Sequence, residues 1–221
     1  MSERATIFFD FDGTLHDSMA IYGPAFRCAY DWLVQEGHMP KQDFSDEWIS
    51  QWLGFTVEQM WTTFAPQLDE AIWRQAAAIV GREMDERTAR GQARLFAGVP
   101  EALTQLKDEG YTLAFLSNCR IDYCRVHRSL FNLDQWFSAY YCAEAFSDIP
   151  KWQIYQQVAN LHAFPHVMVG DRFHDQEVAI KSSIPFVGCA YGFAREGELD
   201  KVDARASCPR DLPYLITNLL S

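Results

Sequence analysis

Apolar positions along this chain keep two rhythms. Short unbroken runs, each a few residues long, end abruptly in small or acidic residues. The first closes at Phe9 before Asp10, and others cover Tyr111 to Leu116, Ala139 to Cys142, Val167 to Val169 and Phe186 to Val187. Runs of that length predict buried strands. Between them lie stretches with helical spacing. In VPEALTQLKDEG, Pro100 suits a first helical turn, Leu103 and Leu106 share a face, and Gly110 suits the position after the last turn. KWQIYQQVANLH repeats Ile154, Val158 and Leu161 at helical intervals. Strands alternating with helices predict right-handed βαβ units, hence an α/β fold with a Rossmann-like parallel sheet and helices on both faces.

The segment from Asp17 to Gly91 breaks the alternation, for it has no strand pattern. It offers helical runs in CAYDWLVQEG and SDEWISQWLG, and a capping-box start at Thr56 with Gln59 three residues on. A longer helix is predicted from Asp69 to Arg90, with Ile72, Ala76, Ile79 and Met84 along its apolar stripe. This predicts an all-helical cap domain over residues 17–91, inserted into a core made of 1–16 and 92–221. The hinges fall near Leu15–Asp17 and Ala93–Gly98. Trp48, Trp52, Phe55 and Trp61 read as the core of that module.

An open parallel sheet binds ligands beyond the carboxyl ends of its strands. The first strand delivers Asp10 and Asp12 there, within FFDFDGTLHDS. The strand ending at Leu116 delivers Ser117 and Asn118. The one ending at Val169 delivers Gly170, Asp171 and, after a short turn, Asp175; Lys151 opens the helix between the last two strands. Carboxylates so close repel, so the arrangement calls for a cation. A hard ion such as Mg²⁺ suits carboxylates and phosphate together. One carboxylate could then attack phosphorus and another move protons, while Ser117 and Lys151 hold the transferring group.

Four motifs in this order resemble the haloacid dehalogenase-like hydrolase superfamily, in its helical-cap subgroup, and are similar to phosphoglycolate phosphatase-type members. They are DFDGT at Asp10 to Thr14, Ser117 in FLSN, Lys151 at a helix start, and GDRFHD at Gly170 to Asp175. The resemblance covers the whole chain. It implies Asp10 as nucleophile and Asp12 as general acid and base. It implies Mg²⁺ held by Asp10, the Asp12 backbone carbonyl and Asp171, with Asp175 supporting that shell. The implied reaction is hydrolysis of a small phosphorylated metabolite through an aspartyl-phosphate. Gly13, Thr14, Asn118 and Arg120, with Gln51 and Gly54 in the cap, are further phosphate or substrate contacts. Arg172 replaces a residue that is often small in relatives, and faces substrate or solvent. His16 and His174 flank the acidic motifs without a required role.

Alternatives remain within the family and outside it. A phosphonate hydrolase would need a cap lysine, and Lys41 beside Pro40 is the one between Leu15 and Gly98. A sugar-phosphate mutase would need a histidine where the chain reads Tyr22-Gly23. A metal- or phosphate-binding regulatory module is the non-catalytic alternative.

The 221 residues carry a formal net charge of −11, which argues against nucleic acid or anionic membranes as partners. With no long apolar run and no leader pattern, the expectation is a cytoplasmic protein, monomeric or homodimeric. Six cysteines fall in apparent core segments and read as reduced, packed thiols. Cys119 and Cys124 are the one close pair, and they lack the spacing of a metal site.

Overall fold

A computed structural model describes residues 4–221. The chain forms two compact units, one from the chain up to His16 together with Leu95–Ser221, the other from Asp17–Arg94. The second boundary falls at Arg94 rather than Gly91, for a local reason. Asp17 N–H donates to the Arg94 carbonyl at 3.0 Å, and the Arg94 guanidinium grips the Asp17 carboxylate at 2.6 and 2.8 Å.

The first unit is built on strands β1 (Thr6–Phe9), β2 (Thr112–Ser117), β3 (Phe137–Cys142), β4 (His166–Gly170), β5 (Phe186–Cys189) and β6 (Ala204–Ala206). All neighbours pair in parallel, in the order β3-β2-β1-β4-β5-β6. The fold is thus α/β and Rossmann-like, with its topological switch at β1. The short edge strand β6 carries no apolar run and is invisible to hydrophobic pattern.

Alternation along β1 explains why helices cover both faces. Ile7 and Phe9 point into a core shared with Leu103 and Leu106 of α5 (Val99–Asp108), Cys124 of α6 (Ile121–Leu130), and Leu212 and Ile216 of α9 (Leu212–Leu219). Phe8 points the other way, toward Ile154, Tyr155 and Val158 of α7 (Lys151–Val158) and Val178 of α8 (Phe173–Ser182). The apolar β1 side chains Ile7, Phe8 and Phe9 are fully buried, each contributing about 1.5–3 kcal/mol of transfer free energy. Leu161 departs from the sequence pattern. The helix ends at Val158, and Leu161 lies in a following 3₁₀ turn, 74% exposed.

The helical unit contains α1 (Met19–Gln35), α2 (Asp46–Ser50), α3 (Val57–Phe64) and α4 (Glu70–Ala89). α1 is longer than the run read from sequence, because it continues through Pro24. Tyr22, Phe26 and Tyr30 recur every four residues on its buried face. The Thr56–Gln59 capping box forms with both hydrogen bonds. In α4 the buried residues are Trp73, Ala76, Val80 and Thr88, so the packed face is rotated from the Ile72–Ile79 stripe. The large ring of Trp73 takes the interior position. Trp52 and Trp61 are buried and Trp48 stacks on Phe44 at 4.1 Å, an aromatic core of the unit.

Candidate active site

The register of the central strands aligns one edge of the first unit. Phe9 stands opposite Phe115 on β2 and Val169 on β4, so the residues just after each strand emerge together. Asp10 is anchored there by its N–H, which donates to the Val169 carbonyl at 2.9 Å.

Lys151 explains its own place at the start of α7, where a cation opposes the helix dipole. Its ammonium lies 2.8 Å from Asp10 Oδ1 and 2.6 Å from Asp175 Oδ1, and its side chain is only 4% exposed. Asp175 sits one turn inside α8, with Arg172 at the N-cap. Its other oxygen accepts the Arg172 N–H at 3.0 Å. Asp171 accepts from Phe193 N–H at 2.7 Å and from the Thr14 hydroxyl at 3.4 Å.

Oxygens of Asp10, Asp171 and Asp175 lie within 4.8 Å of one another, and all three residues are buried. At an effective dielectric of about 20, each ionised pair at that separation repels by about 3 kcal/mol. Burial, then the Asp175 charge, push Asp10 up to about 7 despite Lys151. Burial, then Asp10 and Asp175, hold Asp171 well above the usual carboxylate range. Burial works against the Lys151 charge, but Asp10 and Asp175 outweigh it and raise its pKa. One ammonium does not balance three carboxylates. An all-oxygen donor set of this kind fits a hard divalent cation such as Mg²⁺. Asp175 belongs to the trio itself, while the Asp12 carboxylate stands outside it.

Asp12 has separate surroundings. Its Oδ1 accepts from the Tyr123 hydroxyl at 2.8 Å and lies 3.0 Å from His16 Nδ1. The Tyr123 oxygen is itself 3.0 Å from that nitrogen, so one geometry has the tyrosine donating to Asp12 and Nδ1–H shared between them. Burial pulls the Asp12 pKa up, but the His16 and Tyr123 hydrogen bonds win and leave it lowered. The two aspartates are therefore driven in opposite directions by their surroundings.

Two glycines shape the space around Asp171. Gly13 has φ +83°, and a Cβ there would overlap the Asp171 carboxylate. A Cβ on Gly192 would strike both the Gly13 carbonyl and Asp171. Sequence reading identified Gly13 through its motif but missed Gly192, Phe193 and Tyr123, which lie in no motif and are brought in by folding.

The remaining candidates are distributed as follows. Ser117 ends β2, 2% exposed, and its hydroxyl accepts Cys119 N–H at 3.3 Å. Asn118 is half-buried beside it, and Arg120 is exposed at the N-cap of α6. Gln51 and Gly54 lie in the helical unit, where Gln51 Nε2 donates to the Trp48 carbonyl at 2.6 Å and Gly54 has φ +87°. His16 is fully buried. Arg172 does not face solvent; it is 1% exposed and ion-paired to Glu198 at 2.9 Å.

The cysteines also depart from expectation. Cys208 is exposed and Cys28 and Cys119 are half-buried. Cys142, from the end of β3, joins Cys119 and Cys124 so that the three sulfurs lie within 4.8 Å of one another. Spacing along the chain could not reveal this, because the third thiol arrives through parallel strand pairing of Ser117 with Cys142. Among the described residues, no helix is long and apolar enough to cross a membrane.

The family described as haloacid dehalogenase-like hydrolase matches residues 7–189. A 5′-nucleotidase of Pseudomonas aeruginosa is 30% identical over 122 residues, covering 53% of this chain and 55% of that protein. A phosphoglycolate phosphatase of Colwellia psychrerythraea is 24% identical over 213 residues, covering 87% of each chain. The tyrosine-protein kinase PtkA of Mycobacterium tuberculosis is 28% identical over 203 residues, covering 88% of this chain and 65% of the kinase. Among solved structures, a haloacid dehalogenase-like hydrolase from Streptococcus pneumoniae superposes with a TM-score of 0.78 at 21% identity, over 98% of this chain and all of that one.

Proposed function

The chain belongs to the haloacid dehalogenase-like hydrolase family, and on that premise we propose that it is a Mg²⁺-dependent phosphatase of a small phosphorylated metabolite, working through an aspartyl-phosphate on Asp10. The observation that carries this reading is the bridge from Lys151 to Asp10 and Asp175, in a buried carboxylate trio that also includes Asp171. The curated phosphoglycolate phosphatase relative supports the reaction class.

Asp10 and Asp171, with Asp175 behind them and the Asp12 backbone carbonyl beside them, would hold the ion. When bound, it neutralises the carboxylates and the incoming phosphate. Asp10 Oδ then attacks phosphorus, forming the aspartyl-phosphate as the ester oxygen leaves. Asp12, oriented by Tyr123 and His16, gives that oxygen a proton from its protonated form and, then ionised, takes one back from the water that cleaves the acyl phosphate. Lys151 orients Asp10 and counters charge spreading over the phosphoryl oxygens, and Ser117 donates to one of them. Gly13, Thr14, Asn118 and Arg120 complete the phosphate surroundings, and Gln51 and Gly54 are the contacts proposed within the helical unit.

The kinase relative makes the phosphoryl acceptor a question for experiment: water, or a hydroxyl on another molecule. A panel of phosphorylated metabolites is assayed for released phosphate with Mg²⁺ and with EDTA, beside transfer of label to added tyrosyl acceptors. Metal-dependent release lost in Asp10→Asn supports the phosphatase. Retention of most activity in that variant would sink the nucleophile assignment, and transfer without release would change the acceptor.

A further inference from the structure

Three thiols meet on the first unit with no disulfide among them. Cys119 comes from the turn after β2, Cys124 from the first half of α6, and Cys142 from the end of β3. We infer that Cys119, Cys124 and Cys142 form an all-sulfur site for a soft, thiophilic metal ion of the Cu(I) type, distinct from the oxygen-lined carboxylate trio.

The distances fit. Sulfurs bound to one ion at about 2.3 Å stand about 4 Å apart in trigonal coordination. The three sulfurs here fall within 4.8 Å of one another, so small side-chain rotations suffice. Donor chemistry narrows the ion. Among the described residues this group contains three cysteines and no histidine or carboxylate. Thiolates select soft ions over Mg²⁺ or Ca²⁺. Structural zinc takes four protein ligands, and this group offers three.

Access agrees with that choice. Metal binding needs thiolates, formed by losing protons to solvent. Cys124 and Cys142 are buried, whereas Cys119 is half-buried and gives an ion a way in. The site shares no ligand with the carboxylate trio. An ion there would tie together β3, α6 and the turn whose Cys119 N–H donates to Ser117.

Reduced protein is titrated anaerobically with Cu(I) supplied as its bicinchoninate complex. Binding is read by loss of the chelate colour, by thiolate-to-metal absorption in the ultraviolet, and by thiol titration after mild unfolding. The expected result is one Cu(I) per chain, with three of the six thiols protected. Cys119→Ser should weaken binding about tenfold or more, since losing even an outer-shell partner costs about 10–100-fold. Cys208→Ser should leave it unchanged. Because Cys119 is half-buried, its serine variant is the one chosen to keep the fold, checked by circular dichroism; Cys124→Ser and Cys142→Ser repeat the test where they fold. Failure to compete with the chelator, protection of fewer than three thiols, or equal affinity in Cys119→Ser would overturn the site. So would a Cys119–Cys124 disulfide forming in place of metal uptake.

Discussion

Tyr123 donates to Asp12 Oδ1 at 2.8 Å from a position 111 residues further along the chain. The same phenolic oxygen lies 3.0 Å from His16 Nδ1, so the tyrosine closes a three-membered hydrogen-bonded group around one carboxylate. In the proposed mechanism Asp12 moves protons, and its orientation depends on this contact.

Tyr123→Phe should keep the ring and its packing against Phe11 and His127 while removing the donor. One hydrogen bond to a charged group is worth about 1.5 kcal/mol, or about a tenfold change in rate. We expect kcat to fall about tenfold with KM little altered. Steady-state kinetics on the best phosphate ester checks this; a KM rise at constant kcat would assign Tyr123 to binding instead.

Lys151→Met should be far more damaging to the fold. It removes the cation that Asp10 and Asp175 share in a buried position. Breaking a buried pair costs about 3–5 kcal/mol, which corresponds to a Tm lower by about 10 °C in a chain of this size. Thermal unfolding without metal measures it, and added Mg²⁺ should recover part of the loss.

Asp10→Asn should separate stability from activity. The raised pKa of Asp10, about 7, means that its ionised form is disfavoured in the folded metal-free protein. Between the unfolded value near 4 and about 7, the folded state holds a proton that the unfolded chain has released. Stability is therefore present at the acid end of that window and is lost as pH rises through it. The asparagine variant escapes the penalty and should match or exceed the wild type in Tm at pH 8 without metal, while turning nothing over. A lower Tm at pH 8 would mean that the Lys151 pairing outweighs the burial.

Mg²⁺ should stabilise the protein most where that penalty is largest. At a hundredfold excess over Kd the gain is about 2.7 kcal/mol, or several degrees in Tm. Because the ligands must be ionised, the shift should grow from pH 5 to pH 8. Differential scanning fluorimetry across pH, with EDTA as the control, tests the sign.

Much of the carboxylate site was legible in the sequence, because local chemistry places it. Asp10, Asp171 and Lys151 each follow or open an element whose apolar pattern is plain, and parallel register does the rest. Tyr123 was not legible. Nothing in the spacing of IDYCRVHRSL says that its hydroxyl reaches a carboxylate near the other end of the chain. The burial of Arg172 was not legible either, since its partner Glu198 lies 26 residues on in a segment without periodicity. In α4 the charged residues blur the stripe, and ring volume rather than spacing turns Trp73 inward. The Cys119–Cys124–Cys142 group needed β2 and β3 to pair before it existed at all.

Asp171 owes its position as much to vacancy as to contact. A methyl group at Gly13 would overlap its carboxylate, and one at Gly192 would collide with Asp171 and with the Gly13 carbonyl. Position 192 is thus as sterically forbidding as a motif glycine, though it belongs to no recognised signature. Substitution at either place would collide with the same side chain. In a library of random variants, depletion at 192 should mirror depletion at 13, a covariation of intolerance that reflects the shape of an empty space.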